Sequence, residues 1–199
     1  NNDGATYTYT ISDNNYESTY GNLVSTAESS SLGLYRTTTI EYAPNNGTPY
    51  LVGLPARQTI TNGSGTLIAE TWSLYDDHTS YSSQPSNGKL TGQRTLVSCI
   101  NNDCTSTSNR RYSDVEYAYD SWGNRTTVTA YKGDGLWSSL FTGTTQTTYT
   151  CYGELDSVDG CGSAQNPELY FTYPLWTQNA KGQTTYVTYD YAKGVPITE

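Results

Sequence analysis

Apolar and polar residues alternate with a period of two along much of this chain. TYTYTI over 6–11 places Tyr7, Tyr9 and Ile11 on one side and threonines on the other. In VEYAYD, Val115, Tyr117 and Tyr119 share one face, and Glu116, Ala118 and Asp120 the other. Such alternation predicts half-buried β-strands. Further strands are expected over 36–42, 66–75, 90–100, 110–120, 126–131, 144–151 and 169–173, and as two short pieces around Pro55 within 51–61. Pro55 has no N–H for a ladder, which favours an edge. Segment 76–88 reads as an exposed polar loop. Segment 133–143 carries Leu136, Trp137, Leu140 and Phe141, apolar enough to tuck under a neighbouring strand. No window keeps a 3.6-residue period, so almost no helix is expected.

Between strands stand turn clusters: Pro44-Asn45-Asn46-Gly47, Asn62-Gly63-Ser64-Gly65, Asp120-Ser121-Trp122-Gly123-Asn124 and Asn179-Ala180-Lys181-Gly182. Glycine accepts a positive φ without steric cost, and Asn and Asp side chains bond nearby backbone. Residues 115–131 therefore form a predicted hairpin turning at Gly123-Asn124.

That hairpin recurs. Tyr119-Asp120 followed by Gly123 is matched by Tyr189-Asp190, whose glycine, Gly194, comes one residue later. Tyr16-Glu17 through Gly21 is a looser copy, with Glu for Asp, and Tyr75-Asp76 has a turn expanded as far as Gly88. Residues 145–160 make a degenerate fifth. The spacing is irregular. The chain is thus expected to be a single β-repeat module over 1–199, with units near 7–25, 66–94, 112–131, 145–160 and an incomplete one at 183–199.

A strand ending in Tyr-Asp, then a Gly turn and a Thr/Val strand, resembles the YD repeat of bacterial rearrangement-hotspot (RHS) proteins and their teneurin relatives. In that family YD hairpins coil into a hollow β-shell, which in bacterial members encloses a C-terminal toxin released by a self-cleaving segment. The resemblance implies architectural roles: shell packing for Tyr75, Tyr119 and Tyr189, and hairpin turns at Gly123, Gly194 and Gly21. A full shell needs many more repeats than occur here, and neither the cleavage motif nor a toxin domain is recognisable in these residues. Both ends read as interrupted repeats, so a piece of a longer chain, or copies joined by strand pairing, is expected.

Composition sharpens the picture. Only 34% of the 199 residues are hydrophobic, but 20 tyrosines and 4 tryptophans supply rings that bury about 150–250 Å² each. A thin aromatic core, with phenols partnered at its edge, follows. The net charge of −9 repels phosphate backbones, so no nucleic-acid partner is expected. No apolar run approaches the ~20 residues of a membrane span. No signal peptide and no Met are visible, as in a mature or excised chain.

The cysteines fall into two close pairs, Cys99/Cys104 and Cys151/Cys161. Two local disulfides are the favoured reading; other connectivities and a zinc site are the alternatives. Sequons begin at Asn46, Asn62 and Asn124, all in predicted turns, and are candidate glycosylation sites. These features favour an extracellular or cell-surface location.

Catalytic signatures are scarce. The single histidine, His78, lies in a polar loop and reads as solvated. No nucleophile elbow, phosphate loop or HExxH helix occurs. Among nineteen acidic residues no pair is singled out by spacing as a glycosidase pair. No cofactor is expected. Ca²⁺ is the one ion the oxygen-rich turns 13–15, 101–103 and 156–159 offer to hold, and backbone-bonded turns are the favoured account of them. Trp122, at a turn tip, is the candidate for stacking on a sugar. The sequence as a whole predicts an all-β, irregular repeat of YD-type hairpins in a curved or rolled antiparallel sheet. Its function would be non-catalytic and structural, as shell segment or as fibre or tube subunit. A carbohydrate-binding module and a toxin-delivery shell fragment are the alternatives.

Overall fold

The computed structural model describes residues 10–30, 33–45, 47–48, 50–152, 173–190 and 192–198. These residues form fourteen strands, β1 Thr10–Tyr16, β2 Leu23–Ser30, β3 Gly33–Tyr42, β4 Pro55–Asn62, β5 Leu67–Tyr75, β6 Leu90–Cys99, β7 Arg110–Tyr119, β8 Arg125–Lys132, β9 Gly135–Leu136, β10 Thr144–Cys151, β11 Trp176–Gln178, β12 Thr184–Tyr186, β13 Thr188–Asp190 and β14 Val195–Thr198. Two single turns of 3-10 helix, Ile100–Asn102 and Thr107–Asn109, are the helical content of the described residues. The fold is all-β.

Twelve strands make one antiparallel sheet in the order β1-β2-β3-β4-β5-β6-β7-β8-β10-β11-β12, with β9 paired to β7; β13 and β14 pair separately. Almost every strand thus lies beside its sequence neighbour, as expected where hairpin turns dominate. The chain divides into two compact units, 1–114 with 134–142, and 115–133 with 143–199. β7 gives Arg110–Asp114 to the first and Val115–Tyr119 to the second.

In the first unit the two-residue period sorts the core. Along β5, Glu70, Trp72 and Leu74 point inward and are buried, while the residues between them are half-buried. Register sets Trp72 opposite Arg57 on β4 and Arg94 on β6. Two irregular segments cover this face. Tyr81 of loop 76–89 lies edge-on to Trp72 at 4.9 Å, and Trp137 of segment 134–142 lies edge-on to it at 5.6 Å. Gly92 lets the Phe141 ring settle against β6, where a Cβ would stand 2.7 Å from that ring.

In the second unit, Val115, Tyr117 and Tyr119 are half-buried, whereas Glu116 and Ala118 are exposed. β8 pairs with β7 and β10, setting Thr129 opposite Thr147 with their hydroxyls 3.3 Å apart. Cys151, at the end of β10, is fully buried.

Several expectations change. Residues 13–15, read as a turn, lie within β1 and pair with β2. Pro55 opens β4, an interior strand between β3 and β5; at the first position of a strand its missing N–H interrupts nothing. Residues 51–54 form no strand. Loop 76–88 is not simply exposed, because Pro85 is fully buried and Tyr81 packs on Trp72. The strand expected over 169–173 falls largely outside the described residues.

Candidate functional site

The best-defined polar sites are the hairpin turns, and one geometry recurs through them. At 120–124 the Asp120 N–H donates to the Asn124 carbonyl at 3.0 Å, and the Gly123 N–H returns to the Asp120 carbonyl at 3.2 Å. The Asp120 carboxylate accepts the backbone N–H groups of Trp122 at 2.9 Å and Asn124 at 2.8 Å. Asn62 does the same for Ser64 and Thr66, and Asn179 for Lys181 and Gln183. The glycine at the fourth position has φ of +79° at Gly65, +91° at Gly123 and +77° at Gly182. This is a type I turn closed by a left-handed glycine, the common three-residue hairpin loop.

The remaining repeats vary this theme. Glu17 has one more methylene than Asp, and its turn has one more residue; its carboxylate reaches the N–H groups of Thr19, Tyr20 and Asn22. Asp76 holds the ends of a much longer loop together, accepting from Ser86, Asn87 and Gly88 on one oxygen and from Lys89 on the other, at 2.7–3.0 Å. Asp190 accepts from Ala192 and Lys193, and its carbonyl from Gly194. Backbone N–H donors, above all that of Asn22, hold the Glu17 carboxyl below its usual range. Burial pushes Asp76 up, but the four N–H donors outweigh it and its pKa is lowered.

The tyrosines of the motif sit beside these turns. Tyr75 donates its O–H to the Pro55 carbonyl at 2.9 Å, and Tyr189 stacks on Tyr173 at 4.8 Å. Tyr119 is half-buried.

A second polar constellation, not foreseen from the sequence, lies in the core of the first unit. Glu70 is 1% exposed, yet its carboxylate accepts four donors: Arg57 Nε at 2.6 Å and Trp72 Nε1 at 3.0 Å on one oxygen, Arg110 at 3.1 Å and Tyr112 Oη at 2.5 Å on the other. Burial pushes the Glu70 pKa up, but the bonds from Tyr112, Trp72 and Arg57 outweigh it and hold the group ionised below its ordinary range. Burial and the adjoining carboxylate raise the Tyr112 phenol. Nearby, Arg94 pairs with Asp114 and donates to the carbonyls of Leu136, Trp137 and Ser139, while its guanidinium lies over the Tyr112 ring at 4.8 Å. The signal was legible by parity alone: Glu70 shares a face with Trp72 and Leu74, and Asp114 with Tyr112.

Glu70 accepts four fixed donors and Asp114 three, which suits both to packing and charge balance rather than to proton transfer.

The other expected site residues are placed as follows. Cys99 and Cys104 form a disulfide across the β6–β7 tip, with Cα atoms 5.2 Å apart. Cys151 is also disulfide-bonded, and Cys161 lies outside the described residues. Asn46 lies outside them as well. Asn62 caps its turn through Oδ1, whereas Asn124 donates Nδ2 to Asp120 at 2.9 Å. Trp122 stands 59% exposed at its tip. His78 Nε2 contacts the Gln84 carbonyl at 3.0 Å, so the histidine is tied into its loop. Asp103 accepts from Thr105 and Asn109. Residues 156–159 lie outside the described residues. Among the described residues no helix is long and apolar enough to cross a membrane. In comparisons with known proteins, no family model matches the chain and no curated protein matches it.

Proposed function

We propose that this chain is a non-catalytic structural module of an extracellular YD-type hairpin repeat protein, similar to RHS and teneurin shells. The observation that carries this reading is the shared turn geometry. Glu17, Asp76, Asp120 and Asp190, the four acids of the repeat motif, each direct a carboxylate onto the backbone N–H groups of their own hairpin loop. The acid of the motif thereby serves to end one strand and start the next, which is what a sheet-building repeat requires. The Cys99–Cys104 disulfide supports an oxidising, extracellular setting.

Negative-stain electron microscopy of the native, undigested material tests this. Filaments, tubes or hollow particles containing the chain are expected. Small monodisperse monomers would overturn the structural assignment.

One observation favours a second reading. Trp122 presents a largely exposed indole at the β7–β8 tip, the posture of a side chain that stacks on sugar rings. Glycan-array binding that disappears in Trp122→Ala would establish a carbohydrate-binding module; no binding by the native chain removes that reading.

A further inference from the structure

Three loops of the first unit meet at one end of its strands. The β1–β2 turn is held by Glu17, whose carboxylate accepts the Tyr20 N–H at 2.8 Å and the Asn22 N–H at 3.0 Å. Segment 43–54 closes on itself where Ala43 N–H donates to the Leu54 carbonyl at 2.9 Å. Leu51 and Leu54 then lie against Gly88, where a Cβ would stand 3.1 Å from Leu54, and Asn22 Oδ1 approaches Gly53 to 3.2 Å of its would-be Cβ. These close approaches seat Tyr50 beside Tyr20. The rings are 6.3 Å apart at an interplanar angle of 76°.

Both rings are open to solvent, Tyr20 at 43% and Tyr50 at 72%. Among the described residues neither phenol has a hydrogen-bond partner, in contrast to Tyr42, Tyr75 and Tyr112, whose O–H groups donate to Leu23, Pro55 and Glu70. An edge-to-face pair brings the rim of one ring to the other. Tyr50 lies outside any strand, and both side chains turn about χ1 and χ2, the motion that would bring two ortho carbons together.

We infer that Tyr20 and Tyr50 are an oxidative cross-linking site, joined as dityrosine by a peroxide with a haem peroxidase. Each phenol loses one electron and one proton, and hydrogen peroxide is reduced to two waters. The two phenoxyl radicals combine through their ortho carbons, and the protons displaced from those carbons return to the oxygens. The product lacks two hydrogens relative to the pair. Holding both rings in one molecule replaces a bimolecular radical encounter with an intramolecular one, which is why this pair is favoured over Tyr35, which is exposed but has Glu28 and Arg36 rather than a second tyrosine beside it. The link would fasten segment 43–54 to the β1–β2 turn, without requiring the structural role proposed above.

The test is to treat the full chain, dilute, with hydrogen peroxide and a haem peroxidase, and to map links by peptide mass spectrometry and dityrosine fluorescence. The expected result is a monomer two hydrogens lighter, linked Tyr20 to Tyr50. Fluorescence should fall at least several-fold in Tyr50→Phe and stay unchanged in Tyr35→Phe, with circular dichroism showing both variants folded. Links mapped to Tyr173–Tyr189, spread across the exposed tyrosines, formed only between copies, or distributed identically in urea-unfolded chain would each overturn the site.

Discussion

Arg94 and Asp114 meet as a two-pronged ion pair across β6 and β7, Nε to Oδ1 at 2.8 Å and a terminal nitrogen to Oδ2 at 3.0 Å, with side chains 0% and 3% exposed. The same two groups hold segment 134–142 in place: Arg94 donates to three of its carbonyls, and Asp114 accepts the Phe141 N–H at 3.0 Å. Removing one partner strands a buried charge. Arg94→Met and Asp114→Leu should each lower stability by about 3–5 kcal/mol in urea unfolding, and the double variant should recover a large part of the loss. Additive losses would show that the charges act independently.

Acid should loosen the first unit. The native pKa values of Glu70 and Asp76 lie below their unfolded values. Their contribution is therefore fully present above the unfolded pKa values of about 4.3 and 3.9, and is lost as pH falls through the lower native ones. Urea midpoints should drop below about pH 4.3, and that acid limb should flatten in Glu70→Gln, which should also cost about 3–5 kcal/mol at neutral pH. An unchanged limb would place the acid sensitivity elsewhere.

Gly123 and Gly182 occupy left-handed backbone with nothing within 4 Å of a Cβ, so alanine there meets a dihedral cost and no clash. Gly123→Ala and Gly182→Ala should each cost about 1–2 kcal/mol by thermal or chemical unfolding. Gly123→Asn should cost less, because asparagine tolerates this region. Equal effects of Ala and Asn would point to a hidden steric contact.

The Cys99–Cys104 disulfide closes a small ring, so its effect should be modest and local. A Cys99→Ser/Cys104→Ser variant should lose about 2 kcal/mol. Hydrogen exchange should accelerate chiefly over 100–110, where Arg110 Nε holds the Cys104 carbonyl at 3.0 Å. Acceleration throughout β4–β6 would instead make the disulfide a global staple.

Strand parity and turn chemistry were readable from residues a few positions apart. Alternation over 115–119 and the Asp-x-x-Gly and Asn-x-x-Gly clusters act within one strand or one turn, so side-chain period and positive-φ preference suffice to locate them. The Cys99–Cys104 pair was equally local. The repeat acids were recognised as a pattern, although their work on backbone N–H groups emerged only from the geometry.

What the sequence by itself determined is an all-β chain of hairpins, because propensity, two-residue periodicity and glycine turns are short-range. The tertiary structure alone decided that Glu70 would gather Arg57, Trp72, Arg110 and Tyr112, that Arg94 would reach Ser139 forty-five residues away, and that Tyr20 would meet Tyr50. Those contacts depend on strand register and on which loops fold back over which face. A buried charge is tolerated only where donors from several strands converge on it, and that convergence is a property of the assembled sheet.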